Sequence, residues 1–180
     1  MDRKAVWLII STAIFGGLFM VRDSIAQRVA NAGAHPNVRA FLAMIRMPES
    51  GGKYNVIYGG QIFHDYAKHP NVRVPFDNPR TGRRDYSTAA GAYQINYPTW
   101  LTIQAVAFLP DFSPTSQDTA AIWLLQLRGA LDYILAGDFE NGLRVAGATW
   151  ASLPHSDSGQ HKVSVAAVTK LYADNGGTFA

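Results

Sequence analysis

Glutamate is scarce in this chain: Glu49 and Glu140 are the only two in 180 residues. Glu49 sits in Met47-Pro48-Glu49-Ser50-Gly51-Gly52, where an apolar-periodic stretch runs into a glycine turn. A carboxylate at such a helix-to-loop corner has solvent on one side and core on the other. Partial desolvation raises its pKa and equips it to donate a proton near neutral pH. Further along, Thr88-Ala89-Ala90-Gly91-Ala92-Tyr93-Gln94-Ile95 forms a second compact signature. Tyr93, flanked there by small Gly91 and Ala92, is expected to lie against a cleft, where its ring could meet a saccharide.

Other chemistries find less support. Glycosidases usually pair two carboxylates, and Asp65 and Asp77 are the available partners, but neither lies in a motif. A mechanism with one carboxylate is therefore the favoured reading. His64 and His69 are five apart, and His155 and His161 flank Ser156-Asp157-Ser158-Gly159. No His-Glu-x-x-His occurs and the spacing matches no strong zinc site, so neither a metal nor another cofactor is expected. The absence of cysteine rules out disulfides, thiol nucleophiles and cysteine metal sites. A serine nucleophile has no Gly-x-Ser-x-Gly support. Trp100, Trp123 and Trp150 read as core residues.

The elements that must position Glu49 follow from periodicity. Pro36 stands near a helix start, and Val38, Phe41, Leu42 and Ile45 recur at i, i+3, i+4, i+7. Pro48 is expected to help stop that helix. Residues 54–58 and 61–63 around Gly59-Gly60 predict a β-hairpin. Residues 70–85 read as loop, with 72–74 as a third short strand. Pro98 opens a helix carrying Leu101, Ala105 and Phe108. Ser113-Pro114 caps a long helix through Arg128, and Ile122, Leu125 and Leu131 belong to this stretch. Gly137 ends the following turn, Asp138 caps a helix over 138–150, and a last helix covers roughly 162–173 before Asn175-Gly176-Gly177. The sum is an α+β plan: a mainly helical lobe, a small β-hairpin lobe and a cleft between them.

Length and composition, at 48% hydrophobic and 12% aromatic, fit one domain with a sizeable core. Net charge is +3 with scattered basic residues. Such a surface suits ordinary solubility or attraction to an anionic polymer or lipid, and no basic tract interleaved with aromatics points to nucleic acid. The N-terminus stands apart. Arg3 and Lys4 precede an apolar run over 5–21 closed by Arg22-Asp23. Its 17 residues span about 25 Å as a helix, the lower limit for crossing a bilayer. An N-terminal apolar helix serving as signal anchor (1–22), a polar linker (23–36) and a single globular domain (37–180) are expected. Ser24-Ile25-Ala26 also offers a small-x-small cleavage site.

Glu49-Ser50, the stretch Tyr54-Asn55-Val56-Ile57-Tyr58-Gly59-Gly60, Asp65-Tyr66 with His69-Pro70, and Ala90-Gly91-Ala92-Tyr93-Gln94 resemble the lambda-phage-type endolysins. So do Asp111-Phe112-Ser113-Pro114, Ser116-Gln117-Asp118, Arg128-Gly129-Ala130-Leu131, Trp150-Ala151-Ser152-Leu153-Pro154 and Gly159-Gln160-His161-Lys162. The likeness covers about 38–178 in order. It implies a lysozyme-like fold, acting as a monomer, and lytic transglycosylase activity on peptidoglycan with one catalytic glutamate, here Glu49. Ser50, Tyr54, Tyr93 and Gln94 become the expected substrate-binding or orienting residues. With the N-terminal segment it also implies residence at the host inner membrane and then the periplasm. Two departures stand out: the loop from Glu49 to Tyr54 is short, and Asn55 occupies a position where an aspartate is expected. The other common phage lysozyme pattern requires an aspartate where this chain has Tyr58. A muramidase hydrolase using the same site, a zinc amidase or peptidase, and a non-catalytic glycan-binding phage component are the alternative readings.

Overall fold

The computed structural model describes residues 23–180. The apolar run 5–21, expected as an N-terminal helix, lies outside them. Among the described residues no helix is long and apolar enough to cross a membrane. Residues 23–36, expected as a linker, are instead helical over 23–32 (α1). The reason is a stripe hidden among polar residues: Ile25, Val29 and Ala32 fall at i, i+4, i+7. Val29 and Ala32 are buried in the core, and Ile25 and Ala26 pack against it. Arg28 of α1 pairs with Asp132.

The helix that carries Glu49 is α2, Pro36–Ser50. His35 caps it, Nδ1 accepting the Asn37 N–H at 3.3 Å, and Pro36 supplies a first-turn residue that needs no donor. Val38, Phe41, Leu42 and Ile45 form its buried face as expected, joined by Ala40 and Met44. Pro48 does not stop it. The helix runs through Pro48 to Ser50 and ends at Gly51, left-handed at φ +63°, whose N–H turns back to the Arg46 and Met47 carbonyls. A proline this close to a C-terminus deprives only the Met44 carbonyl of its i+4 donor, a loss one helix end can carry. Glu49 therefore sits on regular helix one residue beyond the proline.

The remaining helices are α3 Tyr97–Ala107, α4 Pro114–Arg128, α5 Leu131–Ala136, α6 Phe139–Ala146 and α7 Val165–Asp174. The bounds of α4 agree with the sequence signals: Ser113 Oγ accepts from the Ser116 N–H and Gly129 closes the helix at φ +77°. Ile122, Leu125 and Leu131 are buried. In α3 the buried face is Trp100 and Ile103, whereas Leu101 and Phe108 are exposed. The two stripes compete at helical spacing, and the one bearing tryptophan won. Helix α6 stops four residues short of Trp150, and Gly147 just beyond it admits the Pro154 carbonyl closer than a Cβ would allow. Phe41, Phe139, Tyr172 and Phe179 form an aromatic cluster, edge-on except for the tilted Phe139–Tyr172 pair, that joins α2, α6 and α7.

Regular strands appear where a loop was expected. β1 Val74–Asp77 and β2 Arg84–Ser87 pair antiparallel, with Val74 opposite Ser87 and Asp77 opposite Arg84. Val74 and Phe76 alternate with the exposed Pro75 and Asp77, a period that two residues of each kind are too few to reveal in sequence. Residues 54–63 turn back as expected but pair only through an isolated bridge, Val56 to Ile62, while Ile57 bridges Ala90. The Tyr58 ring lies 5.6 Å from that of Phe76, seating the two-stranded ribbon on this turn.

Candidate active site

Glu49 projects from the last turn of α2 into a cleft of about 620 Å³. Ser50 and Lys53 line it on the same side, Val56 to Gly60 and Gln94 form the β-lobe wall, and residues 149–152 with Gln160 and His161 form the opposite wall. Among the described residues Glu49 is the one carboxylate that lines this cleft. Burial pushes its carboxyl above the ordinary carboxylate range. Two donors from Ser152 act in the other direction: the hydroxyl at 2.5 Å and the main-chain N–H at 3.3 Å, both on Oε1. Desolvation is the larger effect, so Glu49 is held as a group able to carry a proton at a pH where a free glutamate has lost it.

The expected substrate contacts divide. Ser50 lines the cleft, its hydroxyl donating to the Arg46 carbonyl at 3.1 Å. Gln94 also lines it, with a left-handed backbone (φ +45°) whose turn is held by its own side chain: Nε2 donates to the Gly91 carbonyl at 3.0 Å and the Val56 carbonyl at 3.3 Å. Tyr54 and Tyr93 do not reach the cleft. Tyr93 is 1% exposed, and its hydroxyl donates to Asp118 Oδ1 at 2.5 Å. The Tyr54 hydroxyl donates to the same oxygen at 2.8 Å and accepts from Arg46, whose guanidinium lies 3.6 Å from Asp118. These four residues join α2, α4 and the β lobe behind the cleft. Small neighbours at Gly91 and Ala92 leave room for the Tyr93 ring on either side, and burial of its apolar face decided the side.

Asp65 caps a turn by accepting the Ala67 N–H, and Asp77 is exposed on β1. Neither lines the cleft. His69 is buried, Nε2 bonding the Ile95 carbonyl at 2.9 Å and Nδ1 accepting the Asn71 N–H at 3.1 Å. Both ring nitrogens are used, and burial lowers its pKa. Among the described residues no three histidine or carboxylate side chains gather as a metal-ligand set.

The Endolysin family profile matches residues 39–179. The chain belongs to the Endolysin family. An endolysin of Escherichia phage P2 is 36% identical over 156 residues, which cover 79% of this chain and 94% of the relative. The endolysin of Escherichia phage lambda is 37% identical over 125 residues, 69% of this chain and 76% of the relative. The solved structure of bacteriophage lambda lysozyme complexed with a chitohexasaccharide aligns with a TM-score of 0.73 at 33% identity, covering 81% of this chain and 97% of that one. The fold is lambda lysozyme-like: helical, with a small two-stranded antiparallel sheet.

Within this family fold, Ser152 and Gln117 carry structural roles that spacing alone does not announce. Ser152 is 103 residues from Glu49, beyond the reach of any helical or strand period. Gln117 Nε2 donates to the Tyr54 and Phe112 carbonyls at 3.0 and 2.8 Å, while its Oε1 accepts the Ala92 N–H at 2.8 Å. A buried glutamine fully occupied by main chain holds both β-lobe segments against α4.

Proposed function

We propose that this endolysin is a peptidoglycan lytic transglycosylase that cleaves the β-1,4 bond between N-acetylmuramic acid and N-acetylglucosamine. The observation that carries the proposal is that, among the described residues, Glu49 is the one carboxylate lining the cleft, with no second one there to activate a water or form a glycosyl ester. Glu49, protonated, gives its proton to the glycosidic oxygen as the bond to the anomeric carbon breaks. As carboxylate it then takes the proton of the muramyl C6 hydroxyl, whose oxygen bonds to the anomeric carbon. The product is a 1,6-anhydro sugar, Glu49 is protonated again, and no water is consumed. An intramolecular nucleophile has the proximity advantage, and a carboxyl raised by burial suits both proton transfers. The phage endolysin relatives and the chitohexasaccharide held by lambda lysozyme support a glycan substrate. Glu49→Gln should keep the fold and abolish clearing of purified peptidoglycan, whereas Asp65→Asn and Glu140→Gln should keep most activity. More than a few per cent of wild-type rate in Glu49→Gln would overturn the assignment.

The proposal extends to the membrane. Arg3 and Lys4 favour retention of the N-terminus inside, with the run 5–21 as tether. Two glycines, a serine and a threonine make that run a marginal span, one that the membrane potential can hold and its collapse release. Packing of Ile25 and Ala26 on the core supports a retained segment over one removed after Ala26. Fractionation checks this: full-length protein should move from membrane to periplasm on depolarisation. A mature N-terminus at Gln27 with no membrane-bound form would contradict it.

A further inference from the structure

We infer that Ser152 is a positioning residue for Glu49: its hydroxyl and main-chain N–H converge on one carboxyl oxygen, Oε1, and so assign the transferable proton to the other, Oε2. The inference rests on the reading of Glu49 as the acid. An oxygen that accepts two donors is a poor place for a proton, since protonating it would force a donor to turn away. The main-chain N–H cannot turn, because its peptide is fixed on both sides. The Ser152 carbonyl accepts the Val163 N–H at 2.9 Å. The preceding Ala151 carbonyl accepts the Ser158 hydroxyl at 3.2 Å. One residue earlier, Trp150 Nε1 donates to the Tyr93 carbonyl at 3.1 Å. The wall that carries Ser152 is thereby bound to itself and to the β-lobe segment that lines the far side of the cleft.

Among the described residues no other group competes for the assignment: the hydrogen bonds of the Glu49 carboxyl both come from Ser152. Lys53 from the turn after α2, Tyr58 from the β lobe and His161 from the opposite wall share the cleft, but none is bonded to Glu49. Arg46, one turn earlier on α2, is engaged with Tyr54 and Asp118. Among the described residues, Oε2 is thus the oxygen without a donor, available to a glycosidic oxygen. After proton transfer the negative charge is shared with an Oε1 that two dipoles already face. The same arrangement serves the return step, in which Oε2 takes the proton of the C6 hydroxyl.

The two glutamates of this chain make a direct test practical. Carboxyl-labelled glutamate gives one carbon signal each for Glu49 and Glu140, and Glu140→Gln assigns them. The Glu49 signal is titrated in wild type, Ser152→Ala and Ser152→Thr, and kcat and KM on purified peptidoglycan are followed against pH. Ser152→Ala removes a donor that favours the charged form, so the Glu49 midpoint should rise. Because the acid must be protonated, the alkaline limb of kcat should move to higher pH with it. At its optimum kcat should fall roughly ten- to a hundredfold from lost alignment, with KM little changed, and Ser152→Thr should restore midpoint, limb and rate. An unmoved midpoint and limb in Ser152→Ala, or a loss carried by KM alone, would overturn the inference. The titration needs no turnover: if Glu49→Gln proved active, the functional reading would fall while the titration still decided whether Ser152 holds the carboxyl.

Discussion

Gln117 fills the space that a side chain at Gly91 would need. A Cβ at position 91 would collide with the Gln117 carboxamide and touch Phe112 Cζ at 3.0 Å, and the Gly91 backbone stands at φ +77°. Glycine is required there twice over, once for conformation and once for clearance. Gly91→Ala should therefore destabilise the fold by about 2–4 kcal/mol, with backbone strain added to the displacement of a buried, bonded glutamine. Thermal unfolding measures this directly, and a melting temperature equal to wild type would contradict the packing described.

Tyr93 tests the difference between a sugar platform and a structural tyrosine. Its hydroxyl belongs to the Asp118 hub and its ring is buried. Tyr93→Phe should cost about 1.5–3 kcal/mol of stability, the worth of a hydrogen bond to a carboxylate, and should leave KM for peptidoglycan unchanged. A raised KM with unchanged stability would return Tyr93 to the cleft.

Much of the scaffold was legible because local chemistry decides it. Ser113-Pro114 marks the start of α4 through capping alone, and the stripe Val38, Phe41, Leu42, Ile45 lies on the core-facing side of α2. The place of Glu49 at a helix end before a glycine turn was legible from Gly51-Gly52. The errors lie where tertiary packing chose between equal local options. Tyr54 and Tyr93 could face the cleft or the hub, and Asp118, distant in sequence, drew both hydroxyls inward. Leu101 and Trp100 belong to rival faces of α3. The ribbon 74–77 and 84–87 carries proline, arginine and aspartate on its exposed side, which hides its period. Ser152 meets Glu49 only through the fold.

The raised pKa of Glu49 has a consequence for stability. At pH below the unfolded value both folded and unfolded chains carry the proton, and the buried carboxyl costs nothing. As pH rises, the unfolded chain ionises first, and stability is lost until the folded carboxyl has ionised too. Glu49→Gln removes that loss. The variant should melt higher than wild type at neutral pH, and the difference should shrink on acidification below the ordinary carboxylate range. Calorimetry across pH checks the sign, and a variant less stable than wild type at neutral pH would mean that Ser152 outweighs burial.

The chemistry of the cut ends tests the single-carboxylate account most directly. Purified peptidoglycan is digested in heavy-oxygen water and the muropeptides are weighed by mass spectrometry. With Glu49 as both acid and base, the products carry 1,6-anhydro-muramic ends with no heavy oxygen incorporated, and chelation leaves the yield unchanged. Reducing muramic ends labelled with heavy oxygen would contradict the account and make this endolysin a hydrolase.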